Sequence, residues 1–176
     1  MVLFVGRMVP GKRPERFVRL VGELRARGLE LRAAAVGDGP LRTSIEDAAR
    51  RADVEMAGAS DDVAGVMRRA DLLVFPSLPE GEGMPGVLIE AGLSGLPVVA
   101  TAVAGVRDVV ESGVTGTVVP VEDFGALVEA TAELVADGER RLSMGEAARA
   151  RCSQLFTMRA SAARWRDLLD RLATAH

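Results

Sequence analysis

Apolar runs alternate with segments of helical period along almost the whole chain. Six short apolar runs are predicted to be strands, at 2–5, 31–36, 54–57, 71–76, 97–101 and 117–119. Helical spacing between and after them predicts helices at 14–27, 41–51, 63–69, 86–94, 107–111, 123–137, 139–151 and 158–173. Because strands that alternate with helices pair in parallel, we expect an α/β fold. Its parallel sheet of about six strands should carry helices on both faces.

The last predicted helix carries a long apolar stripe. Its members recur at helical spacing: Met158, Ala162, Trp165, Leu168, Leu169 and Leu172. We expect this stripe either to cap the core of this domain or to face a second domain.

Chemically informative residues cluster in the loops that follow the predicted strands. Gly6, Arg7 and Lys12 follow the first strand, Asp38 the second, Glu82 the fourth and Gly105 the fifth. Because such sheets bind ligands at the carboxyl ends of their strands, these loops are the expected site.

The segment from Glu82 to Glu90 is the most informative part of the chain. Glu82 lies in a glycine-rich loop, and Glu90 lies about one turn inside the helix that follows. Gly86 is four residues before Glu90, so both share a helix face, and Gly86 leaves open space above that carboxylate. Two hydroxyl-binding carboxylates beside a helix N-terminus indicate a site for a molecule that carries both phosphate and sugar.

Composition narrows the choice of chemistry. At 176 residues, with 48% hydrophobic and 27% charged residues, the chain fits one globular domain, without a membrane span or a secretory signal. A net charge of −3 gives no basic footprint for nucleic acid. Cys152 is the only cysteine, which fits a reducing cytoplasm, and His176 is the only histidine, which argues against Cys/His metal sites and internal histidine catalysis. The sequence also lacks an Asp-x-Asp motif, so we expect no metal and no cofactor.

Lys12 is the only lysine among 22 basic residues. A compact ammonium suits a phosphate, and together with Arg7 and the N-terminus of the 86–94 helix it could neutralise a departing diphosphate without a metal. Each residue also has a plainer interpretation. Arg7 could form a surface ion pair, Glu82 could be a solvated loop acid, and Glu90 could pair with an arginine.

A dinucleotide-binding fingerprint is the competing motif. Residues 81–86 match G-x-G-x-x-G, but four residues separate them from the preceding strand. The next strand also ends without the acid that would hold a ribose, so a nicotinamide or flavin site is disfavoured.

The sequence resembles the donor-binding, C-terminal domain of retaining glycosyltransferases of the GT-B fold, family 4. Six segments carry the resemblance: 4–12, 36–40, 70–77, the E-x7-E pair of Glu82 and Glu90, 95–101 and 113–116. The resemblance covers nearly the whole chain. The resemblance implies a Rossmann-like sheet that is one half of a GT-B fold.

The resemblance also implies a role for each site residue. Arg7 and Lys12 would hold the diphosphate in the loop that begins at Gly6, and Glu90 would hold the ribose. Glu82 would hold the transferred sugar. Backbone groups around Met84, Gly86 and Val87 would contact sugar and phosphate, although Pro85 lacks an N–H. The base would lie near 58–62.

The family's N-terminal, acceptor-binding domain is absent from this sequence. The resemblance therefore implies the donor domain of a metal-independent retaining enzyme that uses a UDP- or GDP-linked sugar. We expect this chain to bind nucleotide but to transfer little alone, and any peripheral membrane association to require the missing half. The open alternatives are a non-catalytic nucleotide-sugar-binding subunit that docks through the Trp165 helix, an epimerase or hydrolase, and an NAD-type domain.

Overall fold

A computed structural model describes residues 1–80 and 83–174 of the chain. The strands are β1 Val2–Val5, β2 Ala33–Val36, β3 Val54–Gly58, β4 Leu72–Phe75, β5 Val98–Thr101 and β6 Gly116–Val119. The α-helices are α1 Pro14–Ala26, α2 Arg42–Arg51, α3 Val63–Arg68, α4 Gly86–Leu93, α5 Val106–Val109, α6 Phe124–Ala136, α7 Gly138–Leu155 and α8 Met158–Thr174. A 3₁₀ turn at Pro10–Lys12 precedes α1.

The strands form one parallel sheet in the order β3-β2-β1-β4-β5-β6. The chain winds outward from β1 to β3 and then returns to place β4 on the other side of β1. The two central strands pair through Val2 with Leu72 and Leu3 with Leu73. A crevice opens at such a reversal, beyond the carboxyl ends of the two strands, because the connections leave in opposite directions.

Apolar cores lie on both faces of the sheet, as the sequence predicts. In β1, Val2 and Phe4 pack with α1, α2 and α6, whereas Leu3 packs on the opposite face with α3, α4 and α5. The same alternation in β4 follows from the two-residue period of a strand. All four residues of β2, β4 and β5 are buried, which explains why these strands read as continuous apolar runs.

Helix α4 packs closely on α7 through a glycine. A Cβ built on Gly92 would lie 2.3 Å from the Sγ atom of Cys152. Burial raises the pKa of the Cys152 thiol, so this cysteine is a neutral packing residue between the two helices. This contact holds the C-terminal part of α4 close against α7.

Most element bounds lie within one residue of the predictions, and α7 ends at Leu155, four residues beyond the predicted 151. Two other differences have identifiable reasons. Strand β2 begins at Ala33, not at 31, and the carbonyl of Leu31 accepts a hydrogen bond from the Arg25 side chain at 2.8 Å. Helix α5 ends at Val109, before the predicted 111, because Glu111 enters a tight turn in which its N–H donates to the Thr115 hydroxyl at 2.9 Å.

The apolar stripe of α8 does not cap the core. No side chain of α8 within the described residues is buried, and Trp165 and Leu169 are 64% and 60% exposed. The interpretation that this stripe closes the domain's own core is therefore wrong. Across the described part of the chain, no helix combines the length and the apolar character that crossing a membrane requires.

Candidate functional site

The loops that follow β1 and β4 are in direct contact at the crevice. The N–H of Leu78 donates to the carbonyl oxygen of Gly11 at 2.8 Å. A Cβ built on Gly11 would lie 3.0 Å from the carbonyl oxygen of Glu80, so the two backbones are in close contact. The Lys12 ammonium lies 5.4 Å from the centre of the Phe75 ring, over the last residue of β4. A cation–π contact of this kind holds the only lysine at the crevice.

The loop after β2 closes on the loop after β1. Met8 donates its N–H to the carbonyl of Asp38 at 2.8 Å, and Leu41 donates to the carbonyl of Met8 at 3.0 Å. Gly6 donates its own N–H to Val36 at 3.0 Å, so this group is part of the sheet ladder and is not free for a ligand. The first loop is thus fixed by both neighbouring strands.

The loop after β5 supports the segment that leads into α4. Gly105 has φ +74°, and a Cβ built on it would lie 2.2 Å from the carbonyl oxygen of Gly83 and 2.9 Å from the Cα of Met84. Only a residue without a side chain lets these backbones approach so closely. The backbone of Gly105 therefore packs directly against the backbone of Gly83 and Met84.

Helix α4 begins with backbone donors that have no partner in the helix. Its N-cap is Pro85, which provides no side-chain cap, and the first hydrogen bond runs from Leu88 N–H to the carbonyl of Pro85 at 3.0 Å. The N–H groups of Gly86 and Val87 therefore remain available for an anion. A Cβ built on Gly86 would meet no heavy atom within 4 Å, so the space predicted there is open.

Glu90 lies one turn further along α4 than Gly86. Its side chain is exposed, and its carboxylate forms no ion pair or hydrogen bond with residues 1–80 or 83–174. The arginine partner considered for Glu90 is therefore not found in the described chain. Arg7 is exposed as well and makes no side-chain hydrogen bond or ion pair with those residues.

Glu82, the other carboxylate of the predicted pair, lies outside the described residues. Arg7 and Lys12 follow β1, and Met84, Gly86, Val87 and Glu90 lie on the segment and helix that follow the adjacent strand β4. Of the acids near 58–62, Asp62 caps α3 by accepting the N–H of Gly65 at 2.8 Å. Within the described ranges, no group of three His, Cys, Asp or Glu side chains is placed to hold a metal ion.

Phe75 and Gly11 are site residues that sequence reasoning missed. Phe75 lies in the predicted strand 71–76, and its contact with Lys12 joins parts of the chain that are distant in sequence. Gly11 lies within the segment 4–12, but its hydrogen bond with Leu78 could not be inferred from the sequence.

Comparison with known proteins gives the family. The sequence profile described as "Glycosyl transferases group 1" matches residues 1–137. The chain belongs to this family. It is 31% identical to a GDP-mannose-dependent alpha-(1-6)-phosphatidylinositol monomannoside mannosyltransferase of Mycolicibacterium smegmatis, with 97% of the chain and 47% of the relative covered. It is 33% identical to a D-inositol 3-phosphate glycosyltransferase of Kribbella flavida, over 84% of the chain and 38% of the relative.

The fold of this family member matches solved GT-B glycosyltransferase structures. The crystal structure of Anabaena HepE in complex with UDP superposes with a TM-score of 0.85 at 22% identity, covering 97% of this chain and 48% of that one. The chain thus spans less than half the length of each of these relatives.

Replacing Gly105 by Ala should displace the segment that precedes α4. The added Cβ would overlap the Gly83 carbonyl, so we expect a destabilisation of about 2–4 kcal/mol, measured by urea denaturation. Gly28→Ala is the matched control, since Gly28 has φ +81° but no heavy atom within 4 Å of the added Cβ. This control should cost only about 1 kcal/mol. Equal costs for the two variants would show that the contact with Gly83 is unimportant.

Proposed function

We propose that this chain is the nucleotide-sugar donor-binding domain of a glycosyltransferase, the C-terminal half of a two-domain GT-B enzyme of family 4. The observation that carries the proposal is the adjacency of the parallel strands β1 and β4, because the loop that holds Arg7 and Lys12 and the uncapped N-terminus of α4 follow them at the same edge of the sheet. Family membership and the fold match support the same assignment.

The diphosphate of the donor would lie between the first loop and α4. Lys12 and Arg7 supply positive charge, and the N–H groups of Gly86 and Val87 supply oriented donors at the positive end of a helix. The same groups would stabilise the negative charge that develops on the departing diphosphate, which is electrostatic catalysis without a metal ion. No resident cofactor is needed for this chemistry.

The carboxylates would orient the sugar parts of the donor. Glu90 is exposed and unpaired within the described chain, so it can accept hydrogen bonds from neighbouring ribose hydroxyls. Glu82 would accept a hydroxyl of the transferred sugar, with Met84 beside it. The base would lie toward 58–62. We propose front-face transfer with retention, in which the departing diphosphate helps to deprotonate the acceptor.

A second domain would complete the cleft. The chain covers 47% and 38% of the two relatives, and α8 exposes an apolar stripe that the domain itself leaves uncovered. We propose that an N-terminal acceptor-binding domain packs on this stripe and that the isolated chain is inactive or nearly so. We propose a cytoplasmic enzyme whose contact with a membrane, if any, is made by that other half.

Glu90→Gln should weaken the binding of a nucleoside diphosphate by about 10- to 100-fold, because ribose hydroxyls lose a charged acceptor. Free pyrophosphate should bind as before, and calorimetry with UDP or GDP and with pyrophosphate measures both. Glu146→Gln is the control, since Glu146 is also an exposed glutamate on a helix. Its neighbour Gly145 packs on Gly95, just beyond the C-terminal end of α4 and away from the proposed site. Equal weakening of pyrophosphate and nucleotide would rule out a ribose contact.

Lys12→Ala should weaken the binding of the diphosphate group and not that of the nucleoside. Loss of the ammonium should lower the affinity for UDP or GDP and for pyrophosphate by about tenfold or more, and leave the weak binding of uridine or guanosine unchanged. Arg166→Ala removes the same charge from the exposed helix α8 and serves as the control. Unchanged diphosphate affinity in the Lys12 variant would end the proposal of a phosphate clamp.

A further inference from the structure

The buried hydroxyl of Thr101 lies within hydrogen-bonding distance of two backbone carbonyls at the start of the β4–α4 loop. Thr101 is the last residue of β5 and is 0% exposed. Its Oγ1 lies 2.6 Å from the carbonyl oxygen of Ser77 and 3.2 Å from that of Phe75. The one hydroxyl proton therefore has two acceptors within reach where β4 ends, and the Ser77 carbonyl is the nearer.

The strand pairing explains why a side chain is needed at this point. The pairing of β4 with β5 ends at Phe75 with Ala100. Beyond that pair the ladder stops, and the N–H of Val103 donates within its own chain segment, to the Thr101 carbonyl at 2.9 Å. The hydroxyl of Thr101 supplies a donor just beyond the last paired residues, so that the buried Ser77 carbonyl is not left without a partner.

Ser77 is the point from which the segment leading to α4 departs. The next residue, Leu78, is held by the Gly11 carbonyl, and further along Gly83 and Met84 rest on Gly105. Thr101 and Gly105 are only four residues apart, so the end of β5 and its loop support the segment near both of its ends. Because Thr101 is completely buried, it can influence a ligand only through the residues that it contacts, of which Ser77 is the nearest to this segment.

We propose that Thr101 is a positioning residue for the donor site, acting through its hydrogen bond to Ser77. The proposal rests on the proposed function, since the segment it holds is the one in which Glu82 lies and which ends at the N-terminus of α4. A small shift at Ser77 would move the phosphate-binding N–H groups relative to Lys12, which is fixed on Phe75.

The experiment compares Thr101→Val, which keeps the shape and removes the hydroxyl, with Thr131→Val. Thr131 is also 0% exposed and its hydroxyl donates to the Leu127 carbonyl at 2.7 Å, but it lies in α6. Amide hydrogen exchange is measured in the ligand-free chain, followed by calorimetry with UDP and GDP. Thr101→Val should speed exchange at Leu78 and weaken nucleotide binding by about tenfold, the equivalent of one lost hydrogen bond.

Thr131→Val should leave both the exchange at Leu78 and the nucleotide affinity unchanged, even where it lowers the melting temperature. Thr101→Ser and Thr101→Ala extend the test if the valine variant does not fold. Both lose the methyl group, and only serine keeps the hydroxyl, so serine should bind nucleotide as the parent chain does and alanine should bind about tenfold more weakly.

The outcomes separate this inference from the proposed function. A parent chain that binds neither UDP nor GDP would overturn the donor site and the positioning role together. A parent chain that binds, with unchanged affinity and unchanged Leu78 exchange in Thr101→Val, would overturn the positioning role alone. Equal binding by the serine and alanine variants would also overturn it, because the hydroxyl would then be dispensable.

Discussion

The reversal of strand order between β1 and β4 is the constraint on which the candidate site depends. All neighbouring strands are parallel, so every strand delivers its following loop to the same edge of the sheet. Only at β1 and β4 do the two adjacent loops lead away in opposite directions, which leaves a crevice between them. The lysine of the first loop and the start of α4 lie at the same edge of the sheet because the strands that precede them are neighbours.

Close backbone contacts then convert this crevice into a defined surface. Gly105 packs against Gly83, and the N–H of Leu78 donates to the Gly11 carbonyl. The loop after β4 therefore contacts both the loop after β5 and the loop after β1. Rigid support matters because stabilising a developing charge requires donors that are already oriented, and a helix N-terminus provides such donors without any side chain. Gly86 keeps the approach to those donors open.

Most of the fold could be predicted from the sequence because its local patterns agree with its packing. Strand β1 has the predicted bounds, and the buried runs of β4 and β5 could be recognised from apolar continuity alone. The late start of β2 was not predictable, since a side chain on α1 takes the Leu31 carbonyl. The exposure of α8 was not predictable either, because periodicity shows that a helix has an apolar face but not what covers it.

The candidate site could be located from the sequence but not assembled. Spacing singled out Glu90 and Gly86, and composition singled out Lys12; the strand order shows that the Lys12 loop and α4 follow adjacent strands. Two further contacts, of Lys12 with the Phe75 ring and of the Thr101 hydroxyl with the Ser77 carbonyl, join distant parts of the chain. Such contacts leave no local pattern, so they required the structure.

The decisive experiment for the donor-binding proposal is calorimetric titration of the parent chain with UDP, GDP, ADP and NAD, without added metal. We expect saturable binding of one nucleoside diphosphate, UDP or GDP, in preference to the others. Binding of NAD alone would contradict it, because the segment 81–86 would then serve as a dinucleotide fingerprint and not as the start of a sugar-donor site.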